Sequence, residues 1–328
     1  ALAKGPDGSL WASTDGGLNR IRGGAVQSYT RKDGLPDDQV GALLVDGDVL
    51  WIGTYGSGLS RYAGGRFTTL TTADGLSSDK ISSLLLDGDG SLWIGTFSGG
   101  IDRLHRGRVT AVTRKQGLPE NVVLQLLDDG VGNLWASTSR GVFRVRKADL
   151  VAVGEGTRRS VEGSWYGTAD GMPSAQCTGG SQPAGCRAAD GTLWFPTARG
   201  VAVLDPSKLH PNPVAPNVVI EEVVVDGETV DLYRPVALEP GKRNFQFRYT
   251  APSFVSPEKV RFRYRLEGLD EGCVEAGSRR TAWYTNVPRG RRVFRVTACN
   301  EDGVWNEAGA SIPFHLPPRM HETWWFRG

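Results

Sequence analysis

The sequence predicts an all-β protein, in which a partial β-propeller of about five four-stranded blades precedes an Ig-like/fibronectin-III-like β-sandwich. Two observations predict the propeller: a tryptophan phrase recurs along the first two thirds of the 328 residues, and a Gly-Leu-Pro phrase recurs in the same register. A third observation predicts the sandwich, because apolar alternation resumes without any repeat after a proline-rich stretch. No helical period of 3.6 residues accompanies the repeat, which excludes α-solenoids.

The tryptophan phrase has forms such as Asp-Gly-Ser-Leu-Trp-Ile-Gly-Thr, and its tryptophans step by 40, 42, 42 and 59 residues. These tryptophans are Trp11, Trp51, Trp93, Trp135 and Trp194. The second phrase keeps the same step and occupies residues 33–36, 74–77, 116–119 and 170–173. Two independent phrases in one register indicate a true structural repeat.

Each unit of about 42 residues fits four short strands. In the second unit these are 40–45, 50–54, 59–62 and 66–70, separated by glycine turns that favour positive φ. The glycine excess follows the repeat, because 35 of the 44 glycines lie in residues 1–204. Residues 1–205 are therefore assigned to the partial propeller.

The repeated tryptophans are interpreted as packing between neighbouring blades, with stacking on a ligand as the alternative. The Asp-Gly-Asp-Gly run at 87–90 is interpreted as a hairpin turn. Its alternative is a Ca²⁺ loop, which would also need a downstream bidentate glutamate.

Strand direction predicts where function lies on such a scaffold. The loop between the second and third strands opens on the same face as the connection to the next blade, so residues there that break the repeat are ligand-binding candidates. Ordinary solvated loop chemistry is the alternative for each of them. The candidates are Tyr55, Phe97, Arg140 and Arg199 in the first set of loops, and Asp37, Asp79, Glu120, Asn121 and Gln176 in the second.

The last unit is longer than the others by about 17 residues, as its 59-residue step shows. The extra length includes a flexible loop between Cys177 and Cys186, which a disulfide would close in an oxidising compartment. The alternative is that both cysteines remain free thiols.

Residues 206–217 contain four prolines and are predicted to form a stiff linker. Residues 218–316 are assigned to the sandwich. Its predicted strands are 218–225, 244–250, 260–266, 280–284, 292–298 and 310–316. Alternation along the second and third of these strands predicts that aromatic side chains point inward while Arg and Gln point outward.

Residues 317–328 are predicted to be a juxtamembrane segment, because Trp324, Trp325 and Phe326 suit the headgroup level of a bilayer. A transmembrane helix is expected after Gly328 in the parent protein. The alternative is an aromatic cluster docked on the sandwich itself.

Charge and motif content exclude several functional classes. The 38 Lys and Arg nearly balance 36 Asp and Glu, so no nucleic-acid partner is expected. The four cysteines lack zinc-ligand spacing, and neither a metal nor another cofactor is predicted. Only one of four histidines lies in the propeller, and neither a nucleophile elbow nor a phosphate-binding loop is present. No catalytic residue is assigned.

The recurring phrases resemble the two-component regulator propeller repeats, and residues 249–306 resemble the triple-tyrosine (Y_Y_Y) domain that follows such propellers. The second likeness is carried by Tyr249, by 264–270, by 279–286 and by 298–306. The resemblance implies the periplasmic sensor of a transmembrane receptor at the bacterial inner membrane. Its cytoplasmic output would be a histidine kinase, or alternatively a diguanylate cyclase, and it would form a homodimer through the sandwich.

Two departures from the family pattern stand out. The family carries two seven-bladed propellers, whereas five phrases occur here, so the chain is expected to lack at least two blades of the second ring. Cys273 occupies a position where the family has Trp, and either pairing with Cys299 or a buried thiol is compatible with the sequence.

The leading functional hypothesis is a sensor module without enzymatic activity, in which the propeller binds a small-molecule or oligosaccharide cue and the sandwich relays the signal to the membrane. A propeller lyase or hydrolase is the enzymatic alternative. A third alternative is a purely structural adhesion module.

Overall fold

A computed structural model describes residues 1–180, 182–209, 212–232, 238–253 and 256–317. The chain divides into two compact units, Ala1–His210 and Pro211–Gly328. This division falls inside the proline-rich stretch 206–217. Ser181 and the aromatic residues Trp324, Trp325 and Phe326 lie outside the described residues.

The first unit contains four antiparallel sheets of four strands and a fifth sheet of three strands among the described residues. The first two blades are β1 (Leu2–Lys4), β2 (Leu10–Thr14), β3 (Gly17–Arg22) and β4 (Ala25–Tyr29), then β5 (Val40–Asp46), β6 (Val49–Thr54), β7 (Leu59–Ala63) and β8 (Arg66–Leu70). The next two are β9 (Ile81–Leu86), β10 (Leu92–Thr96), β11 (Ile101–His105) and β12 (Arg108–Val112), then β13 (Gln125–Asp128), β14 (Asn133–Thr138), β15 (Gly141–Arg146) and β16 (Gly163–Tyr166). The fifth is β17 (Cys186–Arg187), β18 (Leu193–Thr197) and β19 (Gly200–Leu204).

The predicted all-β class is confirmed, and strands follow sequence order across each sheet of the first unit. The first strands β5, β9 and β13 are edge strands that pack against one another, so they form the inner wall of the partial ring. Hydrophobic clusters fill the space between successive blades. The unit therefore has a core distributed between sheets, as expected for a propeller.

The Gly-Leu-Pro phrase has a repeated structural role. A short 3-10 turn precedes its glycine in each connection; these turns are Arg31–Asp33, Thr72–Asp74, Arg114–Gln116 and Thr168–Asp170. In the second connection Asp74 Oδ2 accepts from Thr71 N at 2.9 Å, and Gly75 ends the turn at φ +105°, which favours glycine. Leu76 is then buried between blades. The phrase thus encodes a cap followed by a hydrophobic anchor.

The repeated tryptophans differ in burial along the chain. Trp11, Trp93 and Trp135 are buried and pack against the core of the following blade. Trp51 is half-buried, and Trp194 remains 42% exposed. The fifth blade has no following blade among the described residues, which leaves the face of Trp194 uncovered.

The extra length of the last repeat is partly a helix, α1 (Lys147–Gly154), which the sequence analysis does not predict. It follows β15 directly and buries Leu150 and Val153 between the third and fourth blades. Lys147 Nζ lies 2.9 Å from Asp87 Oδ1, which fixes the turn at 87–90. Eight residues are too few to show a helical period, so the pattern gives no signal.

Among its described residues, the second unit is a sandwich of two four-stranded antiparallel sheets. One sheet has the order β21, β20, β22, β25 and the other β24, β23, β26, β27. Their bounds are β20 (Val219–Val225), β21 (Glu228–Thr229), β22 (Phe245–Thr250), β23 (Arg261–Glu267), β24 (Val274–Gly277), β25 (Thr281–Tyr284), β26 (Gly290–Cys299) and β27 (Trp305–Leu316). Two further 3-10 turns are Pro206–Lys208, in the first unit, and Pro257–Lys259.

Aromatic side chains fill the sandwich. Phe247 and Phe294 stack from opposite sheets with ring centroids 4.0 Å apart, and Tyr249 and Tyr264 pack around Phe294. The alternating burial of β22 and β23 points these rings inward and Arg outward. Tyr284 donates to Asp270 Oδ2 at 2.5 Å, and burial together with this bond raises the pKa of the tyrosine.

The proline-rich stretch is held at both of its described ends. Leu209 packs against the core of the fifth blade. Within the second unit, Asn300 Nδ2 donates to the carbonyls of Asn212 (2.7 Å) and Val214 (2.9 Å), and Asn306 Nδ2 donates to Pro216 O (2.9 Å). Residues 212–216 therefore belong structurally to the sandwich.

Candidate functional site

The loops between second and third strands share one closure. In the second blade Thr54 Oγ1 donates to Gly58 O at 2.9 Å, and in the third blade Thr96 Oγ1 donates to Gly100 O at 3.0 Å. The threonine that ends the tryptophan phrase thus fixes the loop. The residue directly after it is held in the same place in each blade.

These loops lie beside the connections to the next blade, as the strand directions require. Gly58 N donates to Asp79 O, and Gly100 N donates to Asn121 O, both at 2.9 Å. The two sets of candidate residues therefore share one face of the propeller, which we call the loop face.

Four of the candidates make hydrogen bonds within or between these loops and connections. Asp37 accepts from Ser57 Oγ at 3.3 Å, and Glu120 accepts from Ser139 Oγ at 2.8 Å. Asp79 accepts from Thr72 N at 2.7 Å, and Asn121 accepts from Arg114 N at 2.8 Å. These residues differ between blades but make equivalent contacts, so they have a structural role in addition to any contact with a ligand.

Tyr55 and Phe97 form the most distinctive surface on the loop face. Both are half-buried, they come from adjacent blades, and their ring centroids are 5.8 Å apart. Gly41 lies under the Tyr55 ring, where a Cβ would approach Cζ to 2.7 Å, so the close approach requires glycine. Burial, with a smaller contribution from Asp15, raises the pKa of Tyr55, which keeps the phenol protonated and able to donate.

Asp15 is a residue that the sequence analysis missed. It follows Thr14 in the first blade, at the position that Tyr55 and Phe97 occupy in the next two. Alignment of the blades on this threonine is the signal that identifies it. A carboxylate and two aromatic rings therefore occupy one repeat position on consecutive blades.

The remaining candidates are more peripheral. The side chains of Arg140, Arg199 and Gln176 are exposed, and the structure does not bring them together with Tyr55. Arg140 N and Arg199 N donate to the threonines that begin their loops, at 3.0 and 3.3 Å.

The segment between Cys177 and Cys186 is anchored rather than flexible. Gln182 N donates to Gly41 O in the second blade at 3.0 Å. The Gln182 amide accepts from Leu84 N at 2.9 Å and donates to Leu84 O at 3.0 Å, so it pairs with the free edge of β9. Ala184 N donates to Gln125 Oε1 in the fourth blade at 2.8 Å. We call residues 178–180 and 182–185 the axial strap, because Gln182 and Ala184 bind the inner strands of three blades.

The disulfide allowed by the sequence is not formed, and the four cysteines are free. Cys177 is buried and its thiol donates to Gly141 O at 3.7 Å, whereas Cys186 is exposed. Burial raises the pKa of the Cys177 thiol to about 11. Cys273 is exposed and Cys299 is buried. Within the described residues no three His, Cys, Asp or Glu side chains converge as a metal site would require.

Comparison with protein families finds one match in each unit. Residues 75–98 match the model of the two component regulator propeller, and residues 253–316 match that of the Y_Y_Y domain. One blade of the first unit is therefore similar to the two component regulator propeller, and much of the second unit is similar to the Y_Y_Y domain. The propeller match begins directly after the 3-10 turn Thr72–Asp74 and includes β9 and the tryptophan phrase of the third blade, and the Y_Y_Y match covers most of the sandwich.

Two relatives give the context of these domains. Histidine kinase P4 of Formosa agariphila is 28% identical over 92 residues, which are 28% of this chain and 7% of the kinase. The extracellular domain of BT3049, named as a hybrid two component system of B. thetaiotaomicron, has the same fold, with a TM-score of 0.73 and 20% identity. That match covers 97% of this chain and 44% of the other, so the chain spans less than half of the matched structure.

A search for membrane-spanning helices among the described residues finds none of sufficient length and apolarity.

Proposed function

We propose that this chain is the ligand-sensing and signal-relay region of a membrane-bound two-component sensor histidine kinase. The observation that carries the proposal is the combination of a two component regulator propeller with a Y_Y_Y domain in one chain. The likeness to a histidine kinase in sequence and to an extracellular sensor domain in fold supports it.

The loop face is the proposed binding surface for the cue. The Tyr55 and Phe97 rings offer a half-buried aromatic surface, and the Tyr55 hydroxyl and Asp15 carboxylate offer hydrogen bonds beside it. This combination suits a small molecule or an oligosaccharide, because a sugar ring presents both an apolar face and hydroxyl groups.

The Y_Y_Y sandwich is the proposed relay. We place the fragment on the periplasmic side of the bacterial inner membrane, as a homodimer through the sandwich, with a transmembrane helix after Gly328 and Trp324, Trp325 and Phe326 at the headgroups. A cue changes the output only by its differential affinity for two receptor states, a coupling of about 1 to 3 kcal/mol.

The test measures autophosphorylation of the full-length parent protein in membranes. The cue is first found by screening small molecules and oligosaccharides. We expect the double variant Tyr55→Ala and Phe97→Ala to raise the half-maximal cue concentration about tenfold or more, since each aromatic contact contributes about 1 kcal/mol. Basal autophosphorylation should remain at the wild-type level.

Arg108→Ala is the matched control, because Arg108 is an exposed residue at the opposite end of the third blade. If the double variant responds to the cue like the wild type, the cue does not bind at the loop face. A parent protein without cue-dependent kinase output would refute the sensor assignment.

A further inference from the structure

A groove of about 370 Å³ lies between the second and third blades, on the side of the propeller opposite to the loop face. Its rim includes residues of the hairpins between β5 and β6, between β9 and β10, and between β11 and β12. The residues that matter for its chemistry are Trp51, Arg61, Arg106, Asp46, Leu92 and Leu104. None of them belongs to the candidate site described above.

In the third and fourth blades the repeated tryptophan has both an acceptor for its indole N–H and an arginine over its ring. Trp93 Nε1 donates to Asp87 Oδ2 at 2.9 Å, and Trp135 Nε1 donates to Asp129 Oδ2 at 3.0 Å. The arginine opposite each tryptophan lies over its ring, with 5.7 Å between the guanidinium carbon and the ring centroid in both blades. In these blades the repeat itself therefore supplies a hydrogen-bond acceptor for the indole N–H and a cation for the ring.

The second blade lacks this arrangement. Trp51 Nε1 is buried and has no hydrogen-bond acceptor among the described residues. Arg61 is the cross-strand partner of Trp51, yet within the described part of the chain its guanidinium makes no ring contact, hydrogen bond or ion pair. The hairpins differ in length: only two residues separate Asp46 from Val49, whereas residues 87–91 of the third blade form a longer turn in which Asp87 accepts from Trp93.

The groove thus presents donors that lack acceptors. Trp51, Arg61 and Arg106 line it, against the single acidic residue Asp46. Both arginines are exposed and reach the groove from opposite blades. Leu92 and Leu104 give it an apolar floor, and the Trp51 ring adds an aromatic wall.

We propose that this groove binds a small carboxylate ligand with an apolar body. The carboxylate accepts from Trp51 Nε1 and Arg61, because charge-assisted bonds from two donors satisfy both of its oxygens. The apolar body lies on Leu92, Leu104 and the Trp51 ring, where it removes apolar surface from water. This site is separate from the proposed cue site, so either can fail without the other.

The test uses 4-phenylbutyrate as the probe and its neutral amide, 4-phenylbutyramide, as the matched compound. Calorimetry on the whole chain should give at least about fivefold tighter binding of the carboxylate, since the amide loses charge-assisted bonds. The carboxylate should also shift the Trp51 indole N–H resonance, which the Trp51→Phe variant assigns by its disappearance.

Arg61→Gln should weaken 4-phenylbutyrate about fivefold, and Trp51→Phe should do the same while it keeps the aromatic wall. Arg66→Gln is the charge-matched control, because Arg66 is exposed on the same blade but is not among the groove residues. The affinity of this variant for 4-phenylbutyrate should equal that of the wild type. Arg61 is exposed, so its variant reads out binding even if Trp51→Phe folds poorly.

Equal affinity for acid and amide, or wild-type affinity in both groove variants, overturns the proposal. The proposal is also overturned if 4-phenylbutyrate shows no binding at about 10 mM. Small fragments with a modest binding energy per atom are detected at that concentration.

Discussion

Asp102 is a fully buried carboxylate on β11 of the third blade. Ser77 N donates to its Oδ2 at 2.9 Å, whereas Oδ1 has no hydrogen-bond partner among the described residues. Burial raises the pKa of Asp102 to about 6 and outweighs the opposing effect of the Ser77 bonds. Because the folded state holds this proton more tightly than the unfolded state, the associated stability is complete below about pH 4.

This contribution of Asp102 to the free energy of unfolding, about 3 kcal/mol in total, is lost as the pH rises through 6. We therefore expect Asp102→Asn to raise the free energy of unfolding at pH 7.5 by about 1 to 3 kcal/mol, because the amide keeps an acceptor for Ser77 N without a buried charge. Urea unfolding between pH 4 and 8 measures both effects. Asp48→Asn, in an exposed turn, should follow the wild-type profile. An Asp102→Asn variant less stable than the wild type at pH 7.5 would contradict this account.

Trp135 and Trp194 occupy one repeat position in different surroundings. Trp135 is fully buried, stacks on Tyr166 at 5.4 Å and donates to Asp129, whereas Trp194 is 42% exposed. Trp135→Ala should cost about 3 to 5 kcal/mol of unfolding free energy, and Trp194→Ala should cost less than half as much. Denaturant unfolding of the two variants tests this directly, and equal losses would refute the difference in packing.

At the residue scale, the sequence identified the loop positions better than the roles of their side chains. Asp37 and Glu120 look like residues that break the repeat, but each binds a serine of the neighbouring loop. Contacts across two loops are invisible to a search for identical letters. Asp15 was missed for a different reason: its position equivalent to Tyr55 becomes visible only when the sequences of the blades are aligned on the threonine that ends the tryptophan phrase.

The axial strap is the element whose behaviour differs most from expectation. Gly and Pro content predicts a flexible loop, yet the Gln182 amide completes the hydrogen bonding of Leu84 on the edge of β9. We expect Gln182→Ala to cost about 1 to 2 kcal/mol of unfolding free energy, because two bonds to an otherwise unpaired strand edge are lost.

Hydrogen exchange gives the sharper measurement for this variant. The Leu84 amide should exchange faster in Gln182→Ala, while amides of the first blade keep wild-type rates. Gln176→Ala is the control, since Gln176 lies nearby in sequence with an exposed side chain. Unchanged protection of Leu84 would show that the strap does not stabilise the inner wall.

Among the other elements, the strands were predictable and α1 was not. Strands of the second blade begin and end within one residue of the predicted bounds, because Gly turns and apolar alternation mark both ends. The helix Lys147–Gly154 carries no such marks, and its stability comes from Leu150 and Val153 packed between blades. Tertiary packing of this kind is absent from a local pattern.

At the scale of the whole molecule, the short stretch between Leu209 and Asn212 joins two firmly held ends. If the propeller signals through the sandwich, three glycines inserted between His210 and Pro211 should uncouple the two domains. We expect the full-length parent to keep its affinity for the cue but to lose cue-dependent autophosphorylation. The same insertion between Gly64 and Gly65, in an exposed hairpin, should leave the output unchanged. Preserved output in the linker variant would contradict the relay.

The order of the two domains was predictable from the whole sequence, since the repeat stops where the prolines begin. The attachment of residues 212–216 to the sandwich was not, because it depends on Asn300 and Asn306, which lie about 90 residues away in the chain. Side-chain bonds to loop carbonyls have no period that a sequence scan detects.

The bond between Gln182 and Leu84 spans 98 residues of chain, although most contacts in a blade are local. During synthesis the first four blades emerge before Gln182 exists, so their inner strand edges remain open to water and to other chains for that interval. A segment made only after the first four blades is thus the one that completes their inner wall. Folding of this unit should consequently show a late step of high contact order, after local formation of the individual sheets.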